Sequence, residues 1–188
     1  MADDVIRVLG ISGSLREGSY NTALLRAAGE MLPAGMTLDI LTVGDLPLFN
    51  QGLLTPEPPE PVRRFKARVA TADALLFAAP EYNYSISGVL KNAIDWGSRP
   101  LAQNVFDGKP AALMGATTGL MGTARVQLHL RQIGVFVNLL ILNQPQVLIA
   151  RAAEKFDGEG RLTDEPTREH VRRLLVALDA WVRRLNPR

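Results

Sequence analysis

Val5 to Ile11 is a near-continuous apolar run broken only by Arg7. A half-buried strand alternates apolar and polar residues, whereas a continuous run has to be covered on both faces, as in a parallel sheet. The run feeds into Gly10-Ile11-Ser12-Gly13-Ser14-Leu15-Arg16-Glu17-Gly18-Ser19-Tyr20-Asn21-Thr22, after which Leu24, Ala27, Ala28 and Met31 recur at helical spacing within Ala23 to Met31. A strand, a Gly/Ser turn and a helix in succession bring free backbone N–H groups and a helix N-terminus to one point, which suits an anion. Ser12, Ser14, Ser19 and Thr22 add hydroxyls there, Asn21 an amide and Arg16 a guanidinium. A phosphate cradle and an ordinary β–α turn capped by Ser19 both satisfy this stretch taken alone.

The same alternation continues along the chain. Met36 to Val43, Ala74 to Ala79, Ala111 to Ala116 and Val147 to Ala150 are expected strands. Val62, Phe65 and Val69 mark a helix, Gly88 to Trp96 and Thr123 to Ile133 two more, and Val135 to Leu142 a strand or extended crossing. Residues 44–61 hold Pro47, Pro56, Pro58, Pro59 and Pro61 and are expected to be a long loop; Pro80 to Ser87 is expected to be a polar-aromatic loop. The final helix starts at Thr163 or Asp164 with Pro166 in its first turn, and carries Val171, Leu174, Leu175, Leu178, Val182 and Leu185 along one face. Strands alternating with helices predict an α/β, doubly wound, five-stranded parallel sheet of flavodoxin-like order 2-1-3-4-5, with helices on both faces and right-handed crossovers, as a single domain over 1–188.

Composition removes several function classes. With 47% apolar and 21% charged residues the 188-residue chain reads as an ordinary globular protein, and a net charge of +2 gives little to hold nucleic acid, so none is expected as a partner. The absence of cysteine excludes disulfides, thiol catalysis and thiolate metal sites, and fits a reducing compartment. Met1-Ala2-Asp3-Asp4 lacks the basic and apolar regions of a signal peptide, and no apolar stretch approaches the ~20 residues of a membrane span, so a cytoplasmic protein with no membrane span is expected.

In an open parallel sheet, ligands bind beyond the C-terminal strand ends where the strand order reverses. Three polar loops leave strand ends: 12–22, 80–87 and 117–122. The first suits a phosphate. The second, Pro80-Glu81-Tyr82-Asn83-Tyr84-Ser85, offers tyrosine faces and polar edges to a flat heterocycle. The third, Thr117-Thr118-Gly119, is small enough for close approach. A phosphate at one end and a flat ring at the other describe a mononucleotide, which in this fold is commonly FMN. The first loop lacks the Gly-Lys-Ser/Thr ending of a P-loop and the spacing of Gly-x-Gly-x-x-Gly. Asp39 lies too early in its strand to hold a ribose. His129 and His170 fall on predicted helices in surface or packing roles, and no acidic cluster suggests a metal.

Gly13-Ser14-Leu15-Arg16-x-x-Ser19-x-Asn21, Pro80-Glu81-Tyr82-Asn83-Tyr84-Ser85 and Leu90-Lys91-Asn92-Ala93-Ile94-Asp95-Trp96 together resemble the NADPH-dependent FMN reductase family, in its quinone, chromate and azo-compound reductase branch. The likeness runs nearly end to end. It implies bound FMN, with NADPH or NADH as co-substrate and a quinone-like small molecule as electron acceptor. The family's phosphate loop maps onto Ser14, Arg16, Ser19 and Asn21, with Ser12, Leu15 and Tyr20 alongside. Its isoalloxazine loop maps onto Glu81, Tyr82, Asn83 and Tyr84 after Pro80, and its small-residue turn onto Thr117, with Thr118 and Gly119 beside it. The resemblance implies that the Glu81 backbone, not its carboxylate, faces the flavin, that no side-chain acid or base is catalytic, and that the chain forms a homodimer or homotetramer. Ser87, Thr117 and Leu120 stand where the family often has proline, serine and glycine. Trp96 is expected in packing or a subunit contact, and Arg125 either at the second substrate or in a salt bridge. The alternative, a flavodoxin-type electron carrier without NAD(P)H turnover, fits poorly with a chain that is not strongly acidic.

Overall fold

The structure is a computed structural model and describes residues 5–186; residues 1–4, which carry the acidic N-terminus, and 187–188 lie outside it. Strands Ile6–Ser12 (β1), Met36–Thr42 (β2) and Ala74–Ala78 (β3) alternate with helices Tyr20–Gly29 (α1) and Glu60–Thr71 (α2). A hairpin of Glu81–Tyr82 (β4) and Ser85–Ile86 (β5) precedes helix Gly88–Gly97 (α3). Strand Pro110–Ala116 (β6), helix Ala124–Val137 (α4), short strands Leu140–Ile141 (β7) and Val147–Ile149 (β8) and helix Glu165–Leu185 (α5) complete the chain. The sheet runs β2-β1-β3-β6, with both β7 and β8 beyond β6, and every pairing in it is parallel.

The sheet therefore has six strands where five are expected. The last position is divided: β7 pairs with Pro110 and Ala111 at the start of β6, and β8 with Met114 to Ala116 at its end. Pro145, which has no N–H to give a ladder, lies in the break between them.

The two faces carry separate cores, as the continuous apolar runs require. Val8, Leu76 and Met114 point to one face, where Leu24 and Leu25 of α1 and Leu174 and Leu178 of α5 cover them. Leu9, Phe77 and Leu113 point to the other, beneath Val62 and Phe65 of α2, Trp96 of α3 and Val126 of α4. Small residues set how closely α1 lies. A Cβ on Gly10 would stand 2.8 Å from Leu25 Cδ2, so glycine at that point of β1 lets the helix that bears Ser19 and Asn21 settle on the strand.

Two expectations hold only in part: within Val135 to Leu142, Leu140–Ile141 is strand β7. Val135 to Val137 are helical, not extended, and α4 ends only at Asn138, whose left-handed φ of 55° closes it. Val126, Leu130 and Val137 are buried at helical spacing, and that packing overrides the strand preference of the β-branched residues. Pro80–Ser87 is not a plain loop: Asn83 (φ 49°) and Tyr84 (φ 65°) form the two-residue turn of a hairpin. Two consecutive left-handed residues match the primed turn that suits strand twist, a turn usually signalled by Asn-Gly. Within 44–61, Gln51–Leu54 form a 3₁₀ turn and α2 begins at Glu60.

Candidate active site

The loops after β1, β3 and β6 meet at the C-terminal edge of the sheet. Gly13 N–H donates to Ala78 O at 2.9 Å, and Ser87 Oγ donates to Gly13 O at 2.7 Å. A Cβ on Gly13 would lie 2.9 Å from Pro80 Cδ, so the first loop can touch the second only because residue 13 is glycine. Ser87 also caps α3 by accepting from Leu90 N–H. The hydroxyl that stands where proline is common thus joins two walls of the site.

Between the three loops lies a cavity of about 300 Å³. Ser14, Arg16, Ser19, Tyr20 and Asn21 line it from the first loop and α1; Pro80, Glu81 and Tyr82 from the second; Ala116, Thr117 and Thr118 from the third. A larger cavity of about 510 Å³ lies at the opposite end of the strands, among Asp73, Lys109 and Arg183. Its charges are already engaged: Asp73 by Arg7, Lys109 by the carbonyls of Ala70 and Ala72, Arg183 by Asp179. It offers a ligand little that is free.

Ser19 accepts from the N–H groups of Asn21 and Thr22 and so caps α1. Asn21 serves the frame: its Nδ2 donates to Ala116 O and its Oδ1 accepts from Ala116 N–H, both at 3.0 Å. One side chain thereby fastens the start of α1 to the end of β6. Arg16 forms no ion pair among the described residues; its guanidinium lies 5.3 Å from the Tyr20 ring centre. The backbone N–H groups of Leu15 and Glu17 find no acceptor among the described residues.

Five residues expected at the site lie off the cavity wall. Ser12 is fully buried beneath it, bonded to Thr22 Oγ1 at 2.7 Å. Leu15 lies against Gly44 and is half exposed. Asn83 and Tyr84 form the hairpin tip, and Gly119 turns outward, its carbonyl accepting from Arg151 N–H. Ala116, whose backbone Asn21 holds, is a wall residue that sequence patterning does not single out.

The sequence pattern of the NADPH-dependent FMN reductase family matches residues 6–154. The chain belongs to that family. It is 53% identical over 185 residues to an NAD(P)H-dependent FMN reductase of Pseudomonas aeruginosa, across 98% of this chain and 99% of that one. It is 45% identical over 190 residues to an NAD(P)H:quinone oxidoreductase of Solanum tuberosum, across 98% and 96%. Among solved structures, a flavoenzyme NAD(P)H:(acceptor) oxidoreductase from Paracoccus denitrificans aligns with a TM-score of 0.88 at 36% identity, covering 96% of this chain and 98% of that one. The fold is flavodoxin-like.

The donor set of this FMN reductase relative fits the group its family name carries. The first-loop end of the cavity joins the Arg16 cation and the Ser14 and Ser19 hydroxyls at the N-terminus of α1, the chemistry that holds a phosphate. The opposite end presents Tyr82, about half exposed. Among the described residues Glu81 is the single acidic residue lining the cavity, and its carboxylate is already occupied. It accepts from Arg125 N–H at 2.9 Å, Val126 N–H at 3.2 Å and Arg125 Nη1 at 2.8 Å. Arg125 therefore sits in a salt bridge, and its guanidinium also lies 3.8 Å from the centre of the Tyr84 ring. Nothing local in the sequence connects residues 81 and 125.

Burial alone would push the Glu81 carboxyl up, but the hydrogen bond from the Arg125 side chain, the two backbone N–H groups and the Arg125 charge together bring it below its ordinary 4.5. Such a carboxylate is held ionised and is a poor proton acceptor near neutrality. A lowered folded-state value contributes stability that is complete above the unfolded value and is lost as pH falls through the folded one. Urea unfolding of wild type and Glu81→Gln across acid pH is expected to show the largest stability gap above 4.5 and a narrowing gap below it. A gap that stays constant through the acid range would contradict this assignment.

His129 is not idle on its helix: Nδ1 and Ser85 Oγ are 2.9 Å apart, which ties β5 to α4. Trp96 is fully buried, its Nε1 donating to Pro47 O at 2.7 Å, while Asn92 bonds Phe49 N–H and Pro47 O. The α3 motif thus anchors the proline-rich loop. Asp39 pairs with Arg68. Among the described residues no group of three or more acidic or histidine side chains could hold a metal ion, and no helix is long and apolar enough to cross a membrane.

Proposed function

We propose that this chain is an FMN-dependent oxidoreductase that takes hydride from NADPH or NADH and delivers the electrons to a quinone-like small acceptor, with residues 1–188 acting as one FMN-binding unit. The observation that carries this reading is the polarity of one cavity: Arg16, Ser14 and Ser19 at one end, Tyr82 at the other, and, among the described residues, no free carboxylate or histidine on its wall. FMN, when bound, supplies the hydride-accepting chemistry, so no side chain has to move a proton.

The protein's part is binding and orientation. Arg16, the serine hydroxyls and the α1 N-terminus hold the phosphate; Ser12 and Thr22 brace that loop from below. Pro80, Glu81 and Tyr82 form the wall at the ring end, and Thr117 and Thr118 close the third side. Asn83, Tyr84, Leu15 and Gly119 serve by shaping these loops. Leu120 and Met121 are exposed just beyond Thr118, and with Tyr82 they give the mouth an apolar rim suited to a flat acceptor. Leu128, Val135 and Phe136 are exposed on the outer face of α4. They are our proposed contact for a homodimer or homotetramer, which sedimentation measurements would detect.

A visible spectrum of the purified protein, recorded before and after anaerobic NADPH, tests the reading. Yellow colour that bleaches with NADPH and returns with a quinone is expected. Colour without bleaching by either nicotinamide cofactor would favour an electron carrier. Failure to take up added FMN would remove the cofactor assignment.

A further inference from the structure

Helix α4 starts without a cap of its own. Thr123 stands at the N-cap position but makes no capping bond, and its Oγ1 accepts from Gln127 Nε2 instead. The N–H groups that an N-cap side chain would take, those of Arg125 and Val126, are taken by Glu81 from 44 residues away. The Glu81 side chain is 8% exposed, and Arg125 closes over it with a guanidinium bond on one side and the Tyr84 ring on the other. Tyr84 makes that contact from the second position of the hairpin turn, with a left-handed φ of 65° that a bulky residue rarely adopts. Glu81, Arg125 and Tyr84 therefore form a single clamp that joins hairpin β4–β5 to α4.

We propose that Arg125 is a positioning residue for the ring end of the cavity: it neutralises the one acidic wall residue, Glu81, and fixes the hairpin that carries Tyr82. The inference rests on the reading of the cavity as an FMN site. The groups facing Glu81 support it. From α4 come the Arg125 cation and the helix N-terminus, and from the hairpin the uncharged Tyr82 and Tyr84. Across the cavity stand Arg16 and Tyr20, and His129 lies one turn along α4, engaged with Ser85. Without Arg125, the helix N-terminus alone would face a carboxylate that burial already disfavours. Removing one partner of such a pair is worse than removing both, because it leaves a charge uncompensated.

The test measures FMN dissociation constants of wild type, Arg125→Gln, Arg125→Lys and the double variant Glu81→Gln/Arg125→Gln by flavin fluorescence. Each is expressed as a ratio to wild type at the same pH, so that titration of the FMN phosphate itself cancels. Arg125→Gln is expected to bind on the order of tenfold more weakly at about pH 8, with the ratio falling toward one as the pH is lowered through the acid range and Glu81 takes up a proton. Arg125→Lys should stay near wild type, since it keeps the charge, and the double variant should show a ratio independent of pH. The midpoint potential of bound FMN should be more negative in Arg125→Gln than in the double variant. A pH-independent loss in Arg125→Gln, or a double variant as weak as Arg125→Gln at the alkaline end, would overturn the proposal. A wild-type chain that takes up no FMN would overturn it together with the cofactor assignment; a wild type that binds FMN alongside an indistinguishable Arg125→Gln would overturn the role of Arg125 alone.

Discussion

Asn21→Ala is expected to lower the unfolding free energy by about 2–6 kcal/mol, because it strands two buried backbone groups that each cost roughly 1–3 kcal/mol unpaired. Ala116 is 3% exposed, and its N–H and C=O both end on the Asn21 amide. Water has little access to replace that partner. Asn21→Asp is the informative companion: it keeps an acceptor for Ala116 N–H but sets a carboxylate oxygen against Ala116 O, so it should be no better than alanine near neutrality. Urea denaturation of the FMN-free protein reads both. FMN affinity should fall as well, since the bond that is lost joins the helix bearing Ser19 to the strand that leads into Thr117. A stability change below about 1 kcal/mol, the size of an ordinary exposed hydrogen bond, would mean that the tie is not load-sharing.

Arg16→Ala is expected to weaken FMN binding by roughly 10- to 100-fold, the range of a charge-assisted bond worth about 1.5–3 kcal/mol. Arg16 is exposed and forms no ion pair among the described residues, so its removal should leave folding stability nearly unchanged. Binding measured by fluorescence titration should show the loss, and quinone-dependent NADPH oxidation should recover when FMN is supplied in excess. Turnover that stays absent with the site saturated would assign Arg16 a part in the reaction rather than in anchoring. The two substitutions should separate cleanly, Asn21→Ala acting on the frame and Arg16→Ala on binding, although the residues lie only five positions apart, one in the loop after β1 and one in the first turn of α1.

The neighbourhood of these two residues shows what could be read before the structure. The apolar runs of β1, β3 and β6 announce a sheet buried on both faces, and the observed side chains alternate between two cores, Leu76 toward one and Leu75 and Phe77 toward the other. The Gly/Ser turn marks where β1 ends and α1 begins, and Ser14, Arg16 and Ser19 line the cavity there. Ser12 shows the limit of that inference. A hydroxyl in a loop reads the same whether it faces the ligand or the floor, and here it faces Thr22. The hairpin at 81–86 is not legible in the sequence because its turn uses Asn83-Tyr84 where Asn-Gly is the usual signal. The end of α4 is equally hidden, since Val135, Phe136 and Val137 carry strand preference and only the burial of Val137 on the face of Val126 and Leu130 makes them helical.

The sequence by itself determined the periodicities and the local chemistry: which runs need two covers, where Gly and Ser end a strand, where Asp164 and Pro166 begin the last helix. Those properties depend on neighbours within a few residues and survive in any fold that honours them. Tertiary structure alone decided the long-range partners. Asn21 meets Ala116, Ser87 meets Gly13, and Glu81 caps α4 and meets Arg125, across separations of 95, 74 and 44 residues. Each of these bonds requires strand ends that become adjacent only when the sheet assembles, since hydrogen-bond and ion-pair geometry is fixed within a few tenths of an ångström and carries no periodic trace along the chain.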